Sequence, residues 1–326
     1  MKQRALGATG TSISEVGLGC WQFGGDFGPI ADETAFGVMQ AAVDSGIRFF
    51  DTADVYGAGR SESLIGEFLK GCKEPVFVAT KFGRGPGVYP DGYSEDALRR
   101  AVDAALERLQ RDTLDLLQLH CVPVEVLRQG KVFDWLRRVQ EEGLIRHFGA
   151  SVETDEQGML CLEQDGMVSL QVIFNIFRQK PLERLLPTAK QRGVGIIVRL
   201  PLASGLLSGR YTRETRFAET DHRNYNREGK AFSVGETFAG LPFEKGLALT
   251  DALRQYVPAD MTLAQMALRW ILDHDAVSTI IPGASSPEQA KGNSMAAALR
   301  PLSKQLHDTL ARFYREEVAP HIRGVY

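Results

Sequence analysis

Along most of the chain, short apolar runs rich in β-branched residues alternate with longer segments whose apolar positions recur at helical spacing. Val16–Cys20, Ile47–Asp51, Val76–Lys81, Leu114–His120, Ile145–Ser151, Ser169–Phe174, Gly195–Leu200 and Ala276–Pro282 predict eight strands. Between them lie helix signals. Asp32 predicts the cap of a helix reaching Ser45, with Gly46 beyond it; Ser61 predicts the cap of a helix ended by Gly71. Ser94 opens a third, with Glu95 and Asp96 where the helix dipole favours negative charge. Further helices are expected over Val132–Glu142, Asp155–Glu163, Leu182–Arg192 and Leu263–Asp273, and from Pro287 onward. Runs that are apolar on both faces, such as Gly195–Val198, belong in a parallel sheet covered on both sides.

Eight strand–helix units in 326 residues predict an α/β fold, a (β/α)8 TIM barrel, as a single domain over residues 1–326. A doubly wound open sheet is the alternative, weakened by the lack of GxGxxG between the first strand and helix. Arg4–Glu15, centred on Ala8-Thr9-Gly10, predicts an N-terminal β-hairpin closing the bottom of the barrel. The polar stretch Tyr211–Pro242 predicts an extended loop, part of a segment 205–242, and residues 300–326 form a tail.

Composition narrows the function classes. A net charge of −3 with 24% charged residues gives no basic field for nucleic acid or an anionic membrane. No apolar run is long enough to span a bilayer, and Met1–Gly7 lacks the apolar core of a signal peptide. Cys20, Cys72, Cys121 and Cys161 form no CxxC pair and no metal-ligand spacing, which suits reduced thiols in a cytoplasmic protein without a metal site.

Candidate chemistry sits at the strand ends. Asp51, Lys81 and His120 each close a strand, and Tyr56 follows Asp51 by five positions. Barrel active sites are built from loops at the C-terminal ends of the strands, so the four are expected to converge. Taken singly each has an ordinary reading: a packing tyrosine, a structural ion pair, a buried imidazole. As a foursome they suit proton donation to a carbonyl.

Phe50-Asp51-Thr52-Ala53-Asp54-Val55-Tyr56-Gly57, followed by Ser61-Glu62, resembles the aldo-keto reductase signature. Ala79-Thr80-Lys81, Leu117–His120, Gly143–Ser151 and Ile281–Gln289 with Asn293 resemble four further segments of that family, in order. The resemblance runs from about Leu6 to Leu299, and is similar to the bacterial group that also resembles potassium-channel β subunits. It implies an NAD(P)H-dependent oxidoreductase reducing aldehydes or ketones. Tyr56 is then the general acid, Lys81 lowers its pKa from ~10, Asp51 holds Lys81, and His120 orients the carbonyl. Trp21, Tyr56 and His120 line the implied substrate site, with Phe23, Phe27, Tyr89 and Tyr93 in nearby loops.

The resemblance also implies cofactor contacts from Cys20, Trp21, Asp51, Ser151, Gln171, Arg199, Pro201, Leu202, Ser204, Gly205, Ser208, Arg210, Gly283, Ser285, Gln289 and Asn293. Arg199 stands where relatives often carry an aromatic ring on the nicotinamide. A cation there is expected to disfavour oxidised cofactor, unless it pairs with an acid at the barrel rim. Gly283 and Gln289 stand where some relatives carry Lys and Arg, while Ser285, Gln289 and Asn293 match an uncharged set that still takes NADPH. NADPH is the expected cofactor, helped by Arg213, Arg216 or Arg223, with NADH as the alternative. A small carbonyl compound is the expected partner; catabolic oxidation of a sugar or alcohol and a low-turnover cofactor sensor are the competing functions.

Overall fold

A computed structural model describes every residue, Met1–Tyr326. A two-stranded antiparallel hairpin, β1 (Gln3–Ala5) and β2 (Ser12–Ser14), precedes eight parallel strands: β3 (Leu18–Gly19), β4 (Phe49–Asp51), β5 (Phe77–Phe82), β6 (Leu114–His120), β7 (Ile145–Ser151), β8 (Met167–Ile173), β9 (Gly195–Arg199) and β10 (Val277–Ile280). Each pairs with its sequence neighbour. The ring closes through bridges Val16–Ile280 and Gly19–Gly283, with Gly17 N–H donating to the Ile280 carbonyl at 2.8 Å and Gly19 N–H to Pro282 at 3.1 Å. The expected barrel is present, and the open sheet is not.

Strand side chains alternate between faces, and this alternation lays out the interior. Phe49, Ala79, Leu116, Ile197 and Ile281 form one apolar cluster with Leu6 and Ile13 of the hairpin. Leu6 and Ile13 are fully buried, each worth roughly 1.5–3 kcal/mol of burial, so the hairpin plugs the lower mouth. The plug needs glycine at position 7, where φ is +56° and a Cβ would lie 2.5 Å from the Gly193 carbonyl oxygen. Two residues further along four of those strands the same inward parity gives Asp51, Lys81, Gln118 and Arg199. The interior therefore changes from apolar to polar within one side-chain layer.

Helix starts differ from the sequence reading in two places. The first helix, α1 (Asp32–Asp44), is preceded by Ala31 at its cap, and Asp32 lies inside the first turn, where it pairs with Arg60. The second, α2 (Arg60–Gly71), starts from Gly59 at φ 92°. Ser61 is buried within it, donating to the Cys20 carbonyl at 2.9 Å and accepting from Thr52 Oγ1 at 2.8 Å. Ser94 does cap its helix, accepting from Ala97 N–H. The 205–242 segment carries one short helix, His222–Tyr225, and isolated 3-10 turns. Two helices lay outside the periodic reading, Val124–Gln129 and Phe243–Leu253. The tail forms a helix over Lys304–Phe313, and its end runs along the 205–242 segment, with Arg323 donating to Gly240 and Leu241 carbonyls. No helix is long and apolar enough to cross a membrane, and all four cysteines are free.

Candidate active site

The Lys81 ammonium is fully enclosed at the upper end of the barrel. It donates to Asp51 Oδ2 at 2.7 Å, the Thr52 carbonyl at 2.7 Å and the Tyr56 hydroxyl at 3.3 Å. The second Asp51 oxygen accepts from Gln171 Nε2 at 2.6 Å and Gln118 Nε2 at 3.1 Å. Ser151 Oγ continues the chain to Gln171 Oε1 at 3.3 Å. The carboxylate thus has one cation and two amides, and none of its hydrogen-bonding capacity on that side is wasted. Gln118 was not among the sequence candidates, although it shares the inward parity of Leu116 and His120.

Tyr56 and His120 meet edge to face with ring centroids 6.1 Å apart. Burial pushes the Tyr56 phenol up to about 12, and Lys81 pulls in the opposite direction without overcoming it. The expectation of a lowered phenol therefore fails on desolvation. A phenol at about 12 still protonates an alkoxide readily, since an alkoxide is about as basic as hydroxide, whose parent water has a pKa of ~15.7. The His120 imidazole is held well below its ordinary range by burial first, then by Arg84, Lys81 and Arg199. It is neutral, and its Nδ1 has no hydrogen-bond partner. Lys81 keeps its proton: burial opposes the charge, but Asp51 and Tyr56 outweigh burial and raise its pKa. Gly24 lets the first loop lie on the Tyr56 turn, because a Cβ there would sit 2.7 Å from the Tyr56 carbonyl carbon.

These groups open into one cavity of about 1040 Å³. Its wall includes Trp21, Asp51, Tyr56, His120, Ser151, Gln171, Arg199, Pro201, Leu202, Ser204, Gly205, Ser208, Arg210, Gly283, Ser285, Gln289 and Asn293. Two named candidates are off the wall: Lys81 lies behind Tyr56 and Asp51, and Cys20 is wholly buried with its thiol on the Leu18 carbonyl at 3.5 Å. Phe27 and Tyr89 line the cavity, whereas Phe23 and Tyr93 do not.

Arg199 is buried and forms an ion pair with Glu236 of the 205–242 segment. It also donates to the Val152 carbonyl at 3.0 Å. A compensated guanidinium removes the basis for repelling an oxidised cofactor, and the rim ion pair is what the structure contains. A second pair, Arg84 with Glu153 at 2.5 Å, lies at the cavity edge. Glu236, Glu153, Asp26 and Gln118 are among the wall and floor groups that the sequence pattern did not point to. Glu236 carried no periodic signal, being 37 residues from Arg199 in an irregular stretch.

At the other end, Leu200, Ala203, Ser204 and Gly205 all have positive φ, and the Ala203 and Gly205 N–H groups turn back onto the Leu200 and Leu202 carbonyls, each at 2.9 Å. The Ser204 hydroxyl is engaged with the Glu236 carbonyl and Phe238 N–H, each at 3.1 Å. Arg223 lines the cavity, but its guanidinium is held by Asp221 at 2.5 Å and the Tyr211 hydroxyl at 2.6 Å. Arg213 and Arg216 lie off the wall. Arg210 is exposed on it, with no side-chain partner.

The sequence model of the Aldo/keto reductase family matches residues 15–315. L-galactose dehydrogenase of Arabidopsis thaliana is 30% identical over 89% of this chain and 86% of its own length. Among solved structures, aldo-keto reductase AKR11C1 from Bacillus halodurans in its holo form is 28% identical, with a TM-score of 0.79 over 100% of this chain and 98% of that one. Glycerol dehydrogenase AKR11B4 from Gluconobacter oxydans is 26% identical, with a TM-score of 0.80 over 99% and 98%. The barrel with its hairpin plug, the polar layer at the strand ends and this match across nearly the whole chain make the protein an oxidoreductase of the aldo/keto reductase family.

Proposed function

We propose that the whole chain works as one barrel domain that reduces small aldehydes or ketones to alcohols with NADPH. The observation that carries this reading is the convergence of the Tyr56 hydroxyl, Lys81 ammonium and Asp51 carboxylate with the neutral His120 ring, edge to face with Tyr56 on the cavity wall. A nicotinamide cofactor, when bound, supplies hydride to the carbonyl carbon. Tyr56 delivers the proton to the carbonyl oxygen, and the phenol is recharged from solvent. Lys81 stabilises the phenolate left behind. His120, as a neutral imidazole, orients the carbonyl oxygen without competing for its proton. A positioned acid of this kind contributes ~10²–10⁴-fold.

The cavity fits a dinucleotide beside a small substrate. Its volume, about 1040 Å³, lies at the top of the usual ~300–1,000 Å³ of a small-molecule site, and its far end offers Arg210, Ser285, Gln289 and Asn293. Arg210 is the uncommitted cation for an adenosine 2′-phosphate, with Glu288 on the same wall opposing it. Fluorescence titration with NADPH and with NADH tests the assignment. Tighter NADPH binding that collapses to the NADH value in Arg210→Met supports it; equal binding of both refutes NADPH selectivity. Tyr56→Phe is expected to keep cofactor affinity and lose hydride transfer.

One observation favours the reverse direction on hydroxylated compounds. Arg84 and Glu153 place donors and acceptors side by side on the cavity wall, an arrangement suited to vicinal hydroxyls, and two relatives are named for L-galactose and glycerol oxidation. A faster rate with NAD⁺ and a sugar or polyol than with NADPH and its carbonyl product would establish that direction. We propose that the protein works in the cytoplasm, where its four free thiols stay reduced.

A further inference from the structure

The loop after β3 carries Trp21, whose ring stacks on Tyr56 with centroids 5.8 Å apart and planes 20° apart. Trp21 therefore forms the wall beside the proposed acid. Nothing in its own loop fixes that ring except Asp26, whose Oδ2 accepts from the indole N–H at 2.9 Å, and Phe27, edge on at 5.2 Å. The other Asp26 oxygen reaches across the cavity mouth and accepts from the Tyr225 hydroxyl at 2.8 Å. The Asp26 backbone carbonyl accepts from His222 N–H at 2.9 Å and lies 3.1 Å from His222 Nδ1. Tyr225 and His222 belong to the 205–242 segment, which leaves the barrel next to the positive-φ run over the cavity. Two more rings of that segment enclose Trp21: His222 at 4.6 Å and Phe232 at 6.1 Å.

One carboxylate thus divides its two oxygens between the substrate wall and the segment that roofs the cofactor channel. We infer that Asp26 is a positioning residue that couples the two, so that Trp21 takes up its place beside Tyr56 only when the 205–242 segment is docked. The inference rests on the proposed reductase reading. Its physical content is linkage. If the docked segment binds cofactor better than the undocked one, and Trp21 binds substrate better when held by Asp26, each ligand tightens the other by the same factor. Without the Asp26 side chain the loop and segment keep the backbone bond from His222 N–H to the carbonyl of residue 26, the Arg223 guanidinium over the Phe27 ring and the aromatic contacts around His222, but no hydrogen bond ties the indole N–H to the segment, and the coupling between the two sites weakens.

The test uses the full-length protein with NADPH and a carbonyl substrate that the wild type turns over. Asp26→Ala removes both side-chain bonds. It is expected to raise KM for the carbonyl roughly tenfold or more, the effect of losing a hydrogen bond to a charged group, while kcat changes less. It should also abolish the part of the NADPH-induced fluorescence change that disappears in Trp21→Phe. Asp26→Asn keeps an acceptor for the indole and gains a donor for the Tyr225 oxygen, so it should restore both readouts. Tyr225→Phe breaks only the segment side, in a conservative change, and should reproduce the KM rise and the loss of the Trp21 signal. Wild-type KM and a wild-type Trp21 signal in Tyr225→Phe, or failure of Asp26→Asn to rescue, would overturn the coupling. A wild type that binds NADPH but turns over no carbonyl would instead remove the reductase reading, and the Trp21 fluorescence step would still report on the coupling.

Discussion

Lys81→Met separates the chemical role of the buried ammonium from its structural role. The side chain is fully enclosed and makes three hydrogen bonds, to Asp51, Thr52 and Tyr56. Removing the charge leaves the Asp51 carboxylate buried with only the amides of Gln118 and Gln171. Stranding one member of a buried ion pair costs ~3–5 kcal/mol, so the single variant should lose stability of that order in urea or thermal unfolding. The double variant Lys81→Met/Asp51→Asn has no stranded charge, and most of that loss should return. Activity should behave differently. Without the ammonium nothing offsets the desolvation that already holds Tyr56 at about 12, and Tyr56 in its proposed role as acid loses part of a ~10²–10⁴-fold contribution. Single-turnover oxidation of bound NADPH, read by absorbance at saturating carbonyl, should be slow in both variants. A double variant that regains stability and wild-type hydride transfer together would refute the chemical role and leave Lys81 as a structural cation only.

Other outcomes follow from the same geometry. His274 is half-buried against Trp270 and Phe174, its enclosed Nε2 is unpartnered, and burial lowers its pKa from 6.5 to about 4. The folded state therefore binds fewer protons than the unfolded one below pH 6.5. This stability is intact above that value and is lost as pH falls towards about 4, by up to ~3 kcal/mol. Denaturation midpoints across that window should flatten in His274→Phe; an unchanged acid slope would assign the effect to other groups. Glu236→Ala strands the buried Arg199 guanidinium and should cost ~3–5 kcal/mol, whereas Glu236→Ala with Arg199→Met should recover most of it in the same denaturation assay. Gly24→Ala forces a Cβ to within 2.7 Å of the Tyr56 backbone. It should lower kcat by displacing the Tyr56 turn while NADPH affinity stays near wild type, and an unaltered kcat would show that the turn can yield.

What the sequence made legible was whatever repeats with the period of a strand. The inward parity that places Phe49, Ala79, Leu116 and Ile197 in the apolar layer also places Asp51, Lys81, Gln118 and Arg199 two residues on, so the barrel and the location of its polar layer could be read from spacing alone. Gln118 was visible by the same rule and was passed over because it sits inside the apolar run Leu114–Leu119. The sign of the Tyr56 shift was not legible, since it depends on how much burial the enclosing loops impose and not on which charge is nearest.

Glu236 and Asp26 were illegible for a further reason. Their partners lie 37 residues away and 196–199 residues away, across contacts between two irregular segments with no period to register them. Yet these are the contacts that compensate Arg199 and hold Trp21 beside Tyr56. The regular strands supply the polar floor of Asp51, Lys81, Gln118 and His120, and the loop-to-loop contacts decide the shape and charge of the cavity wall above it. Differences in substrate among barrels with the same floor should accordingly map to positions such as 26, 84, 153, 225 and 236, with the polar layer of the strands left unchanged.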